Sequence, residues 1–338
     1  MTQPISNIHA LKLRDLVTAI LEDSQNHEDA VLHINQIHNI FQELSDITGS
    51  DNAMENLAAV PTSRGKALGL NHAAQCLLDY KRTVKFLFGM TAAIKEQQEL
   101  EPNTTINIFY AGCGPYAPFV CMIAPLFSSS EVQFSLLEIN SASLAAAKKL
   151  IKGLDLEIYI KDYFLEDAVT FKVPNANEYH IIYSETLDAV LFRECYVPIL
   201  FNLLPQFKST VTLIPENVIV DLKFAMLHKK GEEVTDVEET PVGIIVDARA
   251  AVTANANPNA IPAELPSITF ALTNMDRYNL VVIDTQVIVY KDIALERWES
   301  SLTIPLEMNL EQPFDDCKME FIYHMEPEIE LKYTILKE

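Results

Sequence analysis

The sequence is short of basic residues: 25 Lys and Arg stand against 47 Asp and Glu, a formal charge of −22. A field of that sign repels nucleic acid and anionic lipid and favours cationic partners, although it also serves plain solubility. Cysteine is sparse and scattered. Cys76, Cys113, Cys121, Cys195 and Cys317 are odd in number, show no CxxC spacing and have no paired histidine beside them. That fits buried reduced thiols in a cytoplasmic protein better than a disulfide framework or a zinc site. No histidine has a catalytic context. Residues 1–15 lack a basic start followed by an apolar core, so no signal peptide is expected. The longest apolar run, residues 116–127, falls short of the roughly 20 residues that span a bilayer. Repeats and low-complexity tracts are also missing, and tryptophan occurs once, at Trp298.

What is there centres on Ile106-Asn107-Ile108-Phe109-Tyr110-Ala111-Gly112-Cys113-Gly114-Pro115-Tyr116-Ala117. An apolar strand runs into two glycines one residue apart, with a helix-like segment after them. Glu138 lies 24 residues beyond Gly114, at the end of a second strand over residues 132–137. Glycines at such a turn let the backbone pass close to a ligand, and a strand-end carboxylate can take both hydroxyls of a ribose. The pattern predicts an adenosine-containing cofactor. Gly112-x-Gly114-x-x-Ala117 also satisfies the loose dinucleotide fingerprint, which keeps a nicotinamide- or flavin-dependent oxidoreductase among the readings.

Around this motif the chain divides into three. Residues 1–60 predict helices, with Leu13, Leu16, Val17, Ile20 and Leu21 on one face and Ile34, Ile37, Phe41 and Leu44 on another. A connection follows over 59–69, then a helix over 71–95. Residues 61–215 alternate strands near 105–110, 132–138, 156–161, 179–184 and 210–214 with helices near 116–126, 141–152 and 189–204. This is the signature of a doubly wound parallel α/β sheet. Residues 216–338 show alternating patterns at 218–224, 242–247 and 329–335, which predict an antiparallel β-rich domain, a barrel or a sandwich.

Four further segments give the resemblance: Leu77-Leu78-Asp79-Tyr80-Lys81-Arg82-Thr83, Ser184-Glu185-Thr186-Leu187-Asp188-Ala189-Val190-Leu191-Phe192-Arg193-Glu194, Leu213-Ile214-Pro215 and Glu296-Arg297-Trp298. In this order and spacing the chain resembles the protein arginine methyltransferases, a class I S-adenosylmethionine-dependent family, over roughly residues 77–215 and more weakly to about 304. The likeness implies an N-terminal helical segment, a Rossmann-like domain and a C-terminal antiparallel β-barrel-like domain. It implies that Arg82 clamps the methionine carboxylate of S-adenosylmethionine. Gly112 and Gly114 would line that cofactor, Glu138 would bind its ribose and Asp162 would face the adenine amino group. Glu185 and Glu194 match the paired glutamates that hold a substrate guanidinium, and Trp298 falls at a substrate-side position. The expected partner is a cationic small molecule or peptide, with neither nucleic acid nor membrane involved. A homodimer is an open expectation.

The glutamate pair also has its own logic. Nine residues at about 100° each leave the two carboxylates half a turn out of phase on one straight helix. They converge only if the chain bends between strand and helix, and then they can receive one guanidinium by paired charge-assisted hydrogen bonds. A plain solvated helix face is the alternative for them. For Arg82 the alternative is a surface pair with Asp79, and for Trp298 a buried packing role. Cys113 reads as a small filler between the glycines.

Several positions depart from the family. Tyr110 stands where an acid is usual, Tyr116 where a third glycine is expected, and Asp188 where a glycine sits in the glutamate loop. Residues 61–69 lack the family's tyrosine-rich closing helix. Glu296-Arg297-Trp298 replaces Thr-His-Trp, and Arg297 could pair with an acid of the glutamate loop. The interval from Pro215 to Trp298 is shorter than the family's usual one. These departures keep two other functions open: carbon or oxygen methylation of a natural product, and a non-catalytic binding module.

Overall fold

The computed structural model describes residues 7–22, 27–230, 233–312 and 314–336. Five parallel strands form its centre: β1 (Ile106–Ala111), β2 (Val132–Glu138), β3 (Ile160–Leu165), β4 (Ile181–Ser184) and β5 (Thr212–Ile214). Their order is β3-β2-β1-β4-β5. Neighbours pair in parallel register, Ile108 with Phe134 on one side and with Ile181 on the other. Ile106, Ile108, Phe109, Tyr110 and Ala111 are all buried. A central parallel strand is covered on both faces, so it reads as a continuous apolar run and not as an alternation. Each large side chain buried there contributes roughly 1.5–3 kcal/mol. Because the order reverses at β1, the crevice beyond the carboxyl ends of β1, β2 and β4 is where an open sheet of this kind takes a ligand.

Helices α1 (Ile8–Glu22), α2 (His27–Ser45), α3 (Tyr80–Leu100), α4 (Ser141–Gly153) and α5 (Tyr196–Leu203) surround the sheet. In α3 the buried residues Phe86, Leu87, Met90, Ala93, Ile94 and Gln97 recur at three- and four-residue steps, the stripe of a helix with one face inward. Asn140 caps α4 by accepting from the amides of Ala142 and Ser143. The N-terminal helices share the core of the sheet, which runs without interruption from Leu13 and Ile34 to Leu331.

Antiparallel strands make up the C-terminal part: β6 (Asn217–Lys230), β7 (Glu233–Asp247), β8 (Ile268–Leu272), β9 (Leu280–Tyr290), β10 (Ile293–Leu295), β11 (Leu306–Asn309), β12 (Cys317–His324) and β13 (Glu330–Leu336). One sheet runs β10-β9-β6-β7 with β11 also paired to β9, and the other runs β8-β12-β13. Helix α3 ties this part to the parallel sheet. Lys85 Nζ donates to the Ala294 carbonyl at 2.6 Å, and the Tyr290 hydroxyl donates to Glu96 at 2.8 Å.

Four expected elements differ here, and a fifth, the helix expected over 189–204, differs at the site described below. The helix expected over 116–126 is two short turns, Pro118–Cys121 and Ala124–Leu126, because left-handed Ala117 (φ 39°) delays the start to Pro118 and Pro125 has no amide to continue the ladder. The helix expected over 71–95 breaks at Asp79 into Leu70–Gln75 and α3, with a tight turn between. The third strand starts at Ile160 and not at 156, since Glu157–Tyr159 is a helical turn. The connection at 59–69 holds a small hairpin, Val60–Pro61 paired with Lys66–Ala67.

Candidate functional site

One cavity opens at the carboxyl ends of β1, β2 and β4, with about 990 Å³ of empty space including its mouth. Arg82, Gly112, Gly114, Glu138, Glu185 and Glu194 all line it.

The floor is the turn after β1. Gly112 and Gly114 have φ of 75° and 64°, where a Cβ is unfavourable. A Cβ on Gly112 would lie 2.3 Å from Thr186 Cγ2, so the turn packs directly on the segment leaving β4. At Gly114 a Cβ would find only Ala73 at 3.9 Å, so there the backbone itself faces the cavity. Gly112→Ala is expected to lower stability by about 1–3 kcal/mol through clash and left-handed strain, measured by urea denaturation. An unchanged midpoint would show that the Thr186 contact is not tight.

Glu138, at the end of β2, is buried, and its two oxygens accept from the amides of Gly114 (2.8 Å) and Asn140 (2.9 Å). Burial raises its carboxyl, and those backbone donors pull it back toward the charged form. Each oxygen keeps a lone pair for a ligand hydroxyl. The strand-end acid is thus fixed in place before anything binds.

Arg82 reaches the cavity from the first turn of α3. Its Nε donates to Glu185 Oε1, and both side chains are buried. Burial alone would weaken the charge on Arg82; Glu185 outweighs it and holds the guanidinium well above its ordinary value. The surface pair with Asp79 does not form. Asp79 instead accepts from the Ser300 hydroxyl and from the amide and hydroxyl of Ser301. The Tyr183 hydroxyl donates to the second oxygen of Glu185 at 3.4 Å.

Between the two glutamates the chain does bend. No helix begins until Tyr196, so the one expected from residue 189 starts seven residues late. Residues Ala189–Leu191 make a single tight turn in which Val190 and Leu191 are left-handed (φ 62° and 54°). For a β-branched residue such as Val190 this conformation costs on the order of 1–3 kcal/mol, and residues held this way cluster at functional sites. Asp188, beyond adding negative charge, organises the turn, since its Oδ1 accepts from the amides of Arg193 (3.2 Å) and Glu194 (3.4 Å). Both glutamates consequently face one cavity. Glu194 makes no side-chain hydrogen bond to any described residue. Burial pushes its carboxyl up to about 8; Arg82 opposes this, Asp188 and Glu185 reinforce it, and Arg193 opposes it weakly. A half-buried carboxyl with a raised pKa and no side-chain hydrogen bond to any described residue is the kind of group that marks a binding or catalytic position.

Two expected site residues lie elsewhere. Asp162 is inside β3, not past its end, and sits 3.5 Å from the Ser135 hydroxyl outside the cavity lining. The later start of β3 puts Glu166 and Asp167 at the cavity instead. Trp298 is 62% exposed in a left-handed turn (φ 65°) and does not line the cavity, so it is not a buried packing residue. Arg297 does not reach the glutamate loop. It pairs with Glu239 and Asp284 on the antiparallel strands, which leaves the cavity acids free of it.

Sequence reasoning missed the wall provided by the hairpin at 60–67. Thr62 and Ala67 line the cavity, and Lys66 forms a parallel bridge with Glu194. The amide and hydroxyl of Ser63 both donate to Asp167 Oδ2, at 2.6 and 2.5 Å. Among the described residues no group of His, Cys, Asp and Glu could hold a metal ion, and no helix is long and apolar enough to cross a membrane.

No protein-family model and no curated protein matches the sequence. Solved structures with a similar course include a Trypanosoma brucei PRMT1 enzyme-prozyme heterotetrameric complex with AdoHcy, with TM-score 0.47 and 10% identity over 78% of this chain and 92% of that one. A PRMT6 crystal structure has TM-score 0.46 and 10% identity, covering 72% and 95%. An Arabidopsis thaliana protein arginine methyltransferase 10 has TM-score 0.45 and 12% identity, covering 79% and 98%. Likeness at this level carries nothing about chemistry. The parallel sheet with its ligand crevice at β1, followed by antiparallel strands, defines an α/β chain of Rossmann-like class.

Proposed function

We propose that the protein is an S-adenosylmethionine-dependent methyltransferase whose acceptor is a guanidinium or a related cationic nitrogen. The observation that supports this reading is the meeting, in one cavity, of the glycine turn, Glu138, Arg82 and the paired Glu185 and Glu194. The fit to the cofactor rests on the chain's own geometry. Gly114 leaves bare backbone facing the open cavity, and Glu138 is held at the end of β2 with lone pairs to spare for ribose hydroxyls. When bound, S-adenosylmethionine would supply an activated methyl group.

The residues do the rest. Among the described residues, five carboxylates line the cavity (Glu138, Glu166, Asp167, Glu185 and Glu194) against one cation, Arg82. Such walls favour a positive acceptor and offset its repulsion from a sulfonium. Glu194, with no side-chain hydrogen bond to any described residue, can accept hydrogen bonds from an incoming guanidinium and would give up its proton in doing so. Glu185, fixed by Arg82 and Tyr183, orients the acceptor. Alignment of the nucleophilic nitrogen would supply most of the acceleration. Since a free guanidinium stays protonated at neutral pH, one of the two carboxylates takes the proton lost from nitrogen.

Calorimetry with S-adenosylmethionine, its demethylated product and NADH tests the cofactor. Binding of NADH alone would favour an oxidoreductase, and binding of none would favour a non-catalytic module. Glu185→Gln should keep cofactor binding and lower turnover by roughly 10²-fold or more, because it removes a charged contact that matters most in the transition state. Unchanged turnover would take Glu185 out of the mechanism.

A second reading, methylation of carbon or oxygen in an uncharged acceptor, is favoured by one observation. Arg82 already neutralises Glu185, and Glu194 holds its proton up to about 8, so the unliganded pocket is less negative than its residues suggest. Product analysis with methyl-labelled cofactor separates the two readings by the atom that carries label.

A further inference from the structure

The left-handed step between the glutamates is gripped from outside the parallel sheet. The Val190 amide donates to Thr285 Oγ1 at 2.6 Å, and the Tyr323 hydroxyl donates to the Leu191 carbonyl at 2.9 Å, both bonds buried. Thr285 is on β9 and Tyr323 on β12, strands of two different antiparallel sheets, and each is at most 3% exposed. Two separate sheets therefore converge on two adjacent residues. Those residues are the ones whose backbone would otherwise relax to an ordinary conformation. A buried amide or carbonyl needs a partner, so each hydroxyl rewards the strained conformation and penalises its release. The turn that follows is closed from within by Asp188, whose carboxylate takes the amides of Arg193 and Glu194. The direction in which Glu194 leaves the turn is thus set by the step before it.

We propose that Thr285 and Tyr323 are positioning residues: through the Val190 amide and the Leu191 carbonyl they hold the left-handed step that brings Glu194 into the cavity beside Glu185. The inference rests on reading those glutamates as the acceptor-binding pair. It gives the antiparallel strands, which contribute no residue to the cavity lining, a task at the site: they set the loop without touching the reacting groups.

Thr285→Val keeps the shape and removes the hydroxyl, Thr285→Ser keeps the hydroxyl, and Tyr323→Phe removes the other bond. Two readouts that need no turnover follow the loop. Hydrogen exchange of a peptide covering residues 188–195 should rise roughly tenfold in Thr285→Val, the loss of one buried hydrogen bond. The protonated carboxyl band that disappears in Glu194→Gln should titrate near 8 in the parent. In Thr285→Val its midpoint should fall toward the ordinary range, as Glu194 leaves its position among Arg82, Asp188, Glu185 and Arg193 and meets water. Thr285→Ser should restore both values. Tyr323→Phe should move both in the same direction as Thr285→Val, and it decides the matter if the valine variant does not fold. Folded Thr285→Val and Tyr323→Phe proteins with parental exchange and an unmoved band would overturn the proposal. So would a serine variant as disturbed as the valine. If the loop loosens as expected in a protein that binds no S-adenosylmethionine, the positioning stands and the methyl-transfer reading falls.

Discussion

Arg82→Met should destabilise the protein by about 3–5 kcal/mol at pH 8, whereas Arg82→Met combined with Glu185→Met should cost far less than either change alone. The pair is buried on both sides, and removing one member leaves the other as an uncompensated charge. Replacing both by apolar groups of similar volume removes two desolvation penalties along with the attraction, a trade that is often near neutral. The coupling energy from the cycle should therefore be large, well beyond the roughly 0.5 kcal/mol of independent sites. The single variants should also differ in their response to acid. In Arg82→Met the stranded Glu185 can escape its penalty by taking up a proton, so the cost should shrink between pH 8 and pH 5. In Glu185→Met the stranded guanidinium has no such escape, because it cannot lose its proton, and the cost should stay. Urea denaturation of the four proteins at the two pH values measures all of this. Additive single effects below about 1 kcal/mol would mean that the pair is effectively solvated.

The contrast between this pair and its neighbours shows what local pattern conveys. Strands β1 and β2 are plain in the sequence because each is a mostly apolar segment ended by a glycine turn or an acid, and Gly112, Gly114 and Glu138 come with them. Residues 156–160 alternate like a strand, yet Glu157–Tyr159 coils into a turn; the strand shifts by four residues and carries Asp162 away from the site. The sequence likewise could not show that Arg82 would pair with Glu185, 103 residues away, in preference to Asp79 three residues away. Helix spacing makes the near pair possible. Tertiary structure decides otherwise, because the hydroxyls and amide at Ser300 and Ser301 take Asp79. The bend between the glutamates was required by their phase, but its means were hidden. An aspartate accepting two amides and a left-handed valine leave no periodic trace.

Glu194→Gln should make the protein more stable at pH 9 and less active. Below about 4.5 the carboxyl keeps its proton in both folded and unfolded chains and contributes nothing to stability. As the pH rises the unfolded chain releases the proton first, while the folded chain holds it until about 8, because burial disfavours the charge more strongly than Arg82 favours it. Across that interval the unfolded state gains, and stability falls; above 8 the loss is complete and constant. At about 1.4 kcal/mol for each tenfold change in proton affinity, the loss amounts to no more than about 5 kcal/mol, roughly half of it between pH 6 and pH 8. The groups whose carboxyls are lowered by their partners, such as Glu96 and Glu299, act in the opposite sense and have finished titrating by pH 6. Their contribution is common to both proteins and cancels in the difference between the parent and Glu194→Gln. That difference, measured by urea denaturation from pH 6 to pH 9, should grow with pH up to about 8 and level off above it; a flat difference throughout would mean that Glu194 is hydrated and ordinary. A cation that enters the cavity reverses the balance, because its charge favours the ionised carboxylate. Its binding should release close to one proton at pH 7, read by calorimetry with L-arginine in two buffers of different ionisation enthalpy. Glutamine at 194 should abolish that release. A residue that costs stability across the physiological range and recovers it only with a positive ligand is expected where binding, not folding, has selected the side chain.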